Sequence, residues 1–423
     1  MADIRDRAID SFQVPSDDLI ACPWPFYHAL LDEAPVHKPD GYPLYIVSRY
    51  DDVQTVLRDP DTYSSDWYHA LSNPHPEVAA ILAQGCPRKD VLVTADPPFH
   101  RRYRRLVEKA FTPARVRGME DYIATLIDTL IDGFIDRGEA DFIREFAVPL
   151  PISIIADALG VPRSDMDRFK RWSDAALVPL SRTAPLDERK AAAYQKLEMQ
   201  SYMAEMLQAK RASPQDDLAS ALAVTAFEDE VDEAGEPRLL DLPEFIQIVE
   251  SFIVAGNETT TNALGAGILH LIRRPELIKR LRSEPTLLPA FAEEILRLEA
   301  PIQGEPRITS RAVQLAGVDI PKGALIDVRL GAANRDARQF PTPDEIDLDR
   351  RNGNSHVSFG SGIHFCIGSA LVRRELPMAF GALLDRLDNI RLADPAAEPD
   401  YVHSFMVRGL NTLRIRFDRY AES

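Results

Sequence analysis

Residues 359–368 read Phe359-Gly360-Ser361-Gly362-Ile363-His364-Phe365-Cys366-Ile367-Gly368, or FGSGIHFCIG. One cysteine stands among three glycines, a histidine and two phenylalanines. Cys22, Cys86 and Cys366 are the only cysteines, widely spaced and without a C-x-x-C pair. Neither a disulfide framework nor a structural zinc site is expected, and a reducing compartment fits. The ordinary reading of a lone cysteine is a small buried hydrophobe, but that role needs no glycines around it. Gly360, Gly362 and Gly368 allow close backbone approaches, so a flat partner can lie against the loop. The following residues, IGSALVRREL, read as helix. The sulfur is thereby placed at a helix N-terminus, where the dipole and free amides favour a thiolate.

Working outward, the chain has 423 residues, 45% of them hydrophobic and 27% charged, enough to bury a sizeable core. A net charge of −17 argues against a general nucleic-acid binder. The start, MADIRDRAIDSFQVPSDD, has no apolar h-region, and no later run approaches the roughly 18 apolar residues of a membrane span. A cytoplasmic protein without a membrane anchor is expected. Helical spacing dominates about 100–300. Strand-like pieces lie towards the ends: YPLYIVSRY at 42–50, ALIDVRL at 324–330, DNIRLAD at 388–394 and LRIRF at 413–417. DIPKGAL at 319–325 reads as a strand pair turning at Pro321-Lys322-Gly323. Sheets built from such distant pieces require the two ends to meet, and one compact domain over 1–423 is expected.

Asp241-Leu242-Pro243-Glu244 carries the acceptor, proline and third-position glutamate of a capping box. No proline follows until Pro275, which predicts a helix of roughly 45 Å at 1.5 Å per residue. Its first half, FIQIVESFIVAG, is apolar on nearly every side, as in a helix through the middle of a fold. NETTTN then interrupts it with a charge and three β-branched hydroxyls, costly to bury. Such a break marks a surface-facing turn or a site, and composition alone favours the surface.

A thiolate held by amides and hemmed by phenylalanines suits an axial ligand of haem iron. The complete F-G-x-G-x-H-x-C-x-G at 359–368 resembles the haem-binding loop of the cytochrome P450 family. The resemblance runs from YIVSRYDDVQTVLRDPDTYSS at 45–65 to RGLNTLRIRF at 408–417. It implies a mainly α fold with small β-sheets (α+β), a triangular helical prism with a long central helix over the haem. It also implies haem b (iron protoporphyrin IX) on Cys366, with Phe359 and Gly368 beside the sulfur and His364 at a propionate. AGNETT at 255–260 resembles A-G-x-[DE]-T-[TS]. Ala255 and Gly256 would leave room for O2, and Glu258 and Thr259 would relay protons through a hydroxyl and ordered water. By the same resemblance the polar break becomes a site.

Glu294 and Arg297 form an E-x-x-R, by itself a common solvated helix pair. The family resemblance makes it a brace for the haem-binding core, completed by Arg350. Ile346 stands where the family commonly has Phe. His100 and Arg104 share one helical face in HRRYRRLVEK; with Arg307 they resemble the family's propionate contacts. The remaining cations, Arg101, Arg102, Arg105 and Lys109 with Arg373 and Arg374, are an exposed charge run on the plain reading. By resemblance they would dock an acidic ferredoxin or flavodoxin-like donor carrying electrons from NAD(P)H, by way of a ferredoxin reductase.

The pocket wall implied by family position includes Trp67, Tyr68 and His69, residues 170–195, and Ile253 or Val254. Ile302, Gln303, Phe405 and Met406 complete it, with Gln303 able to fix one polar group. These residues suit a hydrophobic small molecule: a terpenoid, steroid, aromatic or aliphatic compound. The expected activity is a monooxygenase. A peroxide-driven enzyme of the same fold is the alternative, but family peroxygenases replace the acid–alcohol pair by arginine and proline. A haem-binding sensor would need neither the relay nor the donor patch.

Overall fold

The computed structural model describes residues 8–72, 74–178, 184–228 and 230–420. They form two compact units. The first comprises Met1–Ser65, Met119–Leu150 and Thr259–Ser423, and the second Asp66–Gly118 and Pro151–Glu258.

Among its described residues the first unit holds ten short strands: β1 Val36–His37, β2 Tyr45–Val47, β3 Tyr63–Ser64, β4 Glu139–Asp141, β5 Glu305–Thr309, β6 Val313–Leu315, β7 Val318–Ile320, β8 Leu325–Val328, β9 Leu387–Leu392 and β10 Arg414–Arg419. They make a five-stranded sheet in the order β1-β2-β8-β5-β3, a three-stranded sheet β4-β10-β9 and the ribbon β6-β7. β2 runs parallel to β8 with Tyr45 opposite Ile326, so the expected meeting of distant segments is seen. Val36, Val47, Val53, Val56, Ile326 and Val328 bury their β-branched side chains against this sheet.

DIPKGAL does not form a strand pair. β7 pairs only with β6, while β8 joins the large sheet. The turn between them is claimed by Thr309: Gly323 N donates to Thr309 O at 2.8 Å, and Ala324 N to Thr309 Oγ1 at 2.9 Å. Those bonds steer the two strands into different sheets.

The helix Leu242–Arg273 is continuous over its predicted length. Its capping box is reciprocal: Asp241 N donates to Glu244 Oε2 and Glu244 N to Asp241 Oδ1, both at 2.8 Å. Its C-terminal half lies in the first unit, where the helix Leu288–Glu299 meets the helix Ser369–Arg386 through edge-on Phe291 and Phe380, 5.0 Å apart. A methyl at Gly267 would strike the Phe380 ring, so glycine there permits this close packing.

The second unit is helical, with Phe99–Ala110, Met166–Leu177 and Leu186–Ala212 its longest whole helices. Phe169, Trp172 and Tyr202 cluster with ring centres 5.1–6.0 Å apart and fasten two of them.

Candidate active site

In the first unit the loop 359–368 is folded on itself. Cys366 N donates to Phe359 O at 2.8 Å, which closes the loop below the sulfur. Gly362 has φ +69°, and a methyl there would collide with the Leu57 carbonyl, so only glycine fits this approach. The helix Ser369–Arg386 begins three residues after Cys366. Phe359 is buried, with the Arg373 guanidinium over its ring at 4.7 Å. Cys366 itself is only partly buried, and its neighbours Ile363 and Phe365 are 36% and 39% exposed. A thiol ringed by accessible apolar side chains and closely packed glycine backbone fits a large, flat, apolar ligand.

His364 Nε2 lies 3.0 Å from Ser65 Oγ. Arg307 is buried, donating to Glu305 Oε2 at 3.1 Å and Pro306 O at 2.7 Å. The structure brings Glu294, Arg297 and Arg350 together in one buried network. Arg297 donates to Glu294 at 2.7 and 2.8 Å and to the carbonyls of Asn334, Pro343 and Glu345. Arg350 Nε donates to Glu294 Oε1 at 3.0 Å. Burial alone would raise the Glu294 pKa, but its hydrogen bond and charge contact with Arg297, then Arg350, hold it below the ordinary glutamate range.

The polar break is not a surface turn. Asn257, Thr260, Thr261 and Asn262 are all buried. Thr261 Oγ1 donates to Ala147 O at 2.9 Å in the first unit, and Asn257 Nδ2 to Ser173 Oγ at 2.8 Å in the second. Composition could not show these partners, more than eighty residues away. Ala255, by contrast, is exposed on the same helix. Glu258 and Thr259 are both half-buried, and burial pushes the Glu258 carboxyl up to about 7.

In the second unit, His100 is buried on the helix Phe99–Ala110 and lowered to about 4, by burial first and then by the Arg104 charge. It is neutral at pH 7. Arg104 Nε donates to Glu108 Oε1 at 2.7 Å. The other cations are largely paired: Arg102 with Glu230, Arg105 with Glu228 at 3.2 Å, and Lys109 with Glu228 at 2.8 Å. In the first unit Arg373 pairs with Glu293 at 2.8 Å and Arg374 with Glu120 at 3.4 Å.

The pocket residues divide. Trp67 and Tyr68 are half-buried, with the Arg88 guanidinium 3.6 Å over the Tyr68 ring. Ile253 is buried and Val254 half-buried. Gln303 is directed elsewhere. Its Nε2 donates to Glu299 O and Ala300 O, and its Oε1 accepts from Tyr27 at 2.5 Å. Phe405 packs on Phe26 and Tyr42 with the Arg329 guanidinium 3.8 Å over its ring, so both residues serve the N-terminal core. Ile302 bridges to Val407, and Met406 O accepts from Gln303 N at 2.8 Å. Of the stretch 170–195, residues 179–183 lie outside the described residues.

Sequence reasoning missed Glu375. It is fully buried on the helix Ser369–Arg386, and burial raises it to about 8. An acid within an otherwise buried helix face, Leu371-Glu375-Leu376, is the signal that would have found it.

A family model for cytochrome P450 matches residues 164–393. Cytochrome P450 107B1 of Saccharopolyspora erythraea is 38% identical over 92% of this chain and 94% of its own. The chain belongs to the cytochrome P450 family. A vitamin D(3) 25-hydroxylase of Pseudonocardia autotrophica is 36% identical, covering 93% of both chains. The solved structure of cytochrome P450 CYP109Q5 from Chondromyces apiculatus superposes with a TM-score of 0.84 at 30% identity, covering 99% of this chain and 100% of that one. This P450 is accordingly a mainly helical haem protein with small sheets and a monooxygenase. Among the described residues no helix is long and apolar enough to cross a membrane.

Proposed function

We propose that this P450 takes electrons from a separate ferredoxin or flavodoxin-like donor, supplied by NAD(P)H, and inserts one atom of O2 into a hydrophobic small molecule. The observation that carries this reading is the half-exposed Cys366 in its apolar, glycine-bent loop. Haem, when bound, supplies oxygen activation; the chain supplies position, charge and protons. Cys366 Sγ would hold the haem iron, with Phe359 and Gly368 beside the sulfur. His364, Arg307, His100 and Arg104 would take the propionates, each carboxylate needing a donor or a cation. A neutral His100 still donates one N–H.

Glu258 and Thr259 would carry the protons. A carboxyl near 7 is part protonated and part ionised at neutral pH, able both to give a proton and to regain it. The Thr259 hydroxyl accepts and donates in turn, so it can pass the proton without holding charge. Ala255 and Gly256, without bulky side chains, would leave space for O2.

Trp67, Tyr68, Ile253, Val254, Ile302 and Met406 remain as pocket residues, and all are apolar or amphipathic. They suit a terpenoid, steroid, aromatic or aliphatic substrate, and the kinship to a vitamin D(3) hydroxylase agrees with that class. The chain passes between its two units four times, which supports one catalytic domain over 1–423. Thr259→Ala in the haem-loaded enzyme tests the relay. NAD(P)H consumption should continue while product per NAD(P)H falls, by roughly the tenfold or more expected for a lost proton-transfer group. Unchanged coupling would contradict it.

A further inference from the structure

The segment following the helix Leu218–Val224 is the most acidic of the chain, with six carboxylates in the nine residues 228–236 and no cation. Its described residues form a hairpin in the second unit. Phe227 N donates to Arg238 O, Arg238 N to Glu230 O and Asp232 N to Glu236 O, at 2.8–3.0 Å. The base of the hairpin is anchored. Phe227 is buried beneath the guanidinium groups of Arg238 at 4.8 Å and Arg102 at 5.3 Å, and edge-on to Tyr103 at 5.9 Å. Arg238 and Tyr103 both donate to Glu244, the capping residue of the long helix, at 2.7 and 2.8 Å.

Beyond this anchor the hairpin lies over the basic helix Phe99–Ala110. Glu230 pairs with Arg102, and Glu228 spans Arg105 and Lys109. Arg104 is taken by Glu108. Among the described residues Arg101 alone of the helix's cations has no carboxylate partner, and it is exposed. Five cations in nine residues therefore present little net field. The Glu228 pairs are solvent-exposed, so salt screens them and a competing carboxylate can exchange with them.

We propose that this acidic hairpin is a built-in occupant of the cationic helix face: Glu228 and Glu230 hold Arg102, Arg105 and Lys109 until the acidic surface of the electron-donor protein replaces them. The hairpin then sets donor affinity, because each donor carboxylate must displace one already present. Donor specificity follows too, since a weakly acidic protein cannot compete with an intramolecular carboxylate at its high effective concentration. This rests on the reading that the donor docks on the basic helix.

The test titrates haem-loaded protein with a plant-type [2Fe–2S] ferredoxin, an acidic donor, at low and at high salt. Glu228→Gln/Glu230→Gln should bind roughly fivefold to tenfold tighter than the parent at low salt, the gain vanishing at high salt. If the double variant is misfolded by circular dichroism, Glu228→Gln alone, at an exposed position, should show a smaller gain of the same sign. Arg101→Glu should weaken binding. Amides of Phe227 and Arg238 should exchange no faster on donor binding, while donor contact should deprotect Asp232 and Glu236, whose turn is released. Unchanged or weaker binding by the glutamine variants, with Arg101→Glu still harmful, would overturn the shielding alone. If Arg101→Glu is also without effect, the docking reading falls with it.

Discussion

Two charge clusters in this P450 use the same residue types to opposite ends. The side chains of Glu294, Arg297 and Arg350 are buried, and the guanidinium donors are spent on five carbonyls as well as on Glu294. The cations of the basic helix Phe99–Ala110 and the carboxylates of its acidic hairpin are exposed or half-buried, and the cations mostly meet one carboxylate each. In the first cluster removing one charge strands another in a low-dielectric interior. In the second, water takes its place. What separates a brace from a docking face is therefore not sequence spacing but how many non-water partners each charge has.

The difference between the two clusters is largest at Arg297. Arg297→Ala leaves buried Glu294 with Arg350 as its one remaining cation and should cost about 3–5 kcal/mol, the range for a buried pair losing one partner. Urea unfolding would show it, and a loss below about 1 kcal/mol, the upper range of surface pairs, would place the network with those pairs. Glu375 gives an intermediate case, a buried acid with no cation among its electrostatic partners. Raised to about 8, it stays protonated in the folded state while the unfolded chain ionises it near 4.5, so stability falls as pH rises through that window. Glu375→Gln cannot ionise, and its stability relative to the parent should improve from pH 5 to pH 8. A pH-independent difference would mean that Glu375 is not held neutral. Lys109→Ala, at the exposed end, should leave the melting temperature unchanged; a clear drop would make that cluster structural.

The motif loop and the capping box were legible because each is local. FGSGIHFCIG and Asp241–Glu244 carry their whole geometry in ten residues or fewer, and backbone N–H groups close both inside the motif, on a carbonyl in the first and on carboxylates in the second. Partners far along the chain were not legible. Gln303 reads as a pocket residue until Tyr27, 276 positions away, claims its amide. By composition Asn257 and Thr261 of the polar break read as surface until Ser173 and Ala147 pair with them. RRYRR reads as an open patch until Glu228, 123 positions from Arg105, covers it. In each case residue type was right and the partner was missing, because hydrogen bonds across the fold leave no spacing in the sequence.

Everything proposed for this P450 depends on Cys366 providing the thiolate. The direct measurement is the absorption spectrum of the reduced, haem-loaded protein under carbon monoxide. The parent should show the red-shifted Soret band of thiolate ligation, and Cys366→His, which retains a ligand able to hold haem, should lose it. A red-shifted band that survives in Cys366→His would contradict the account.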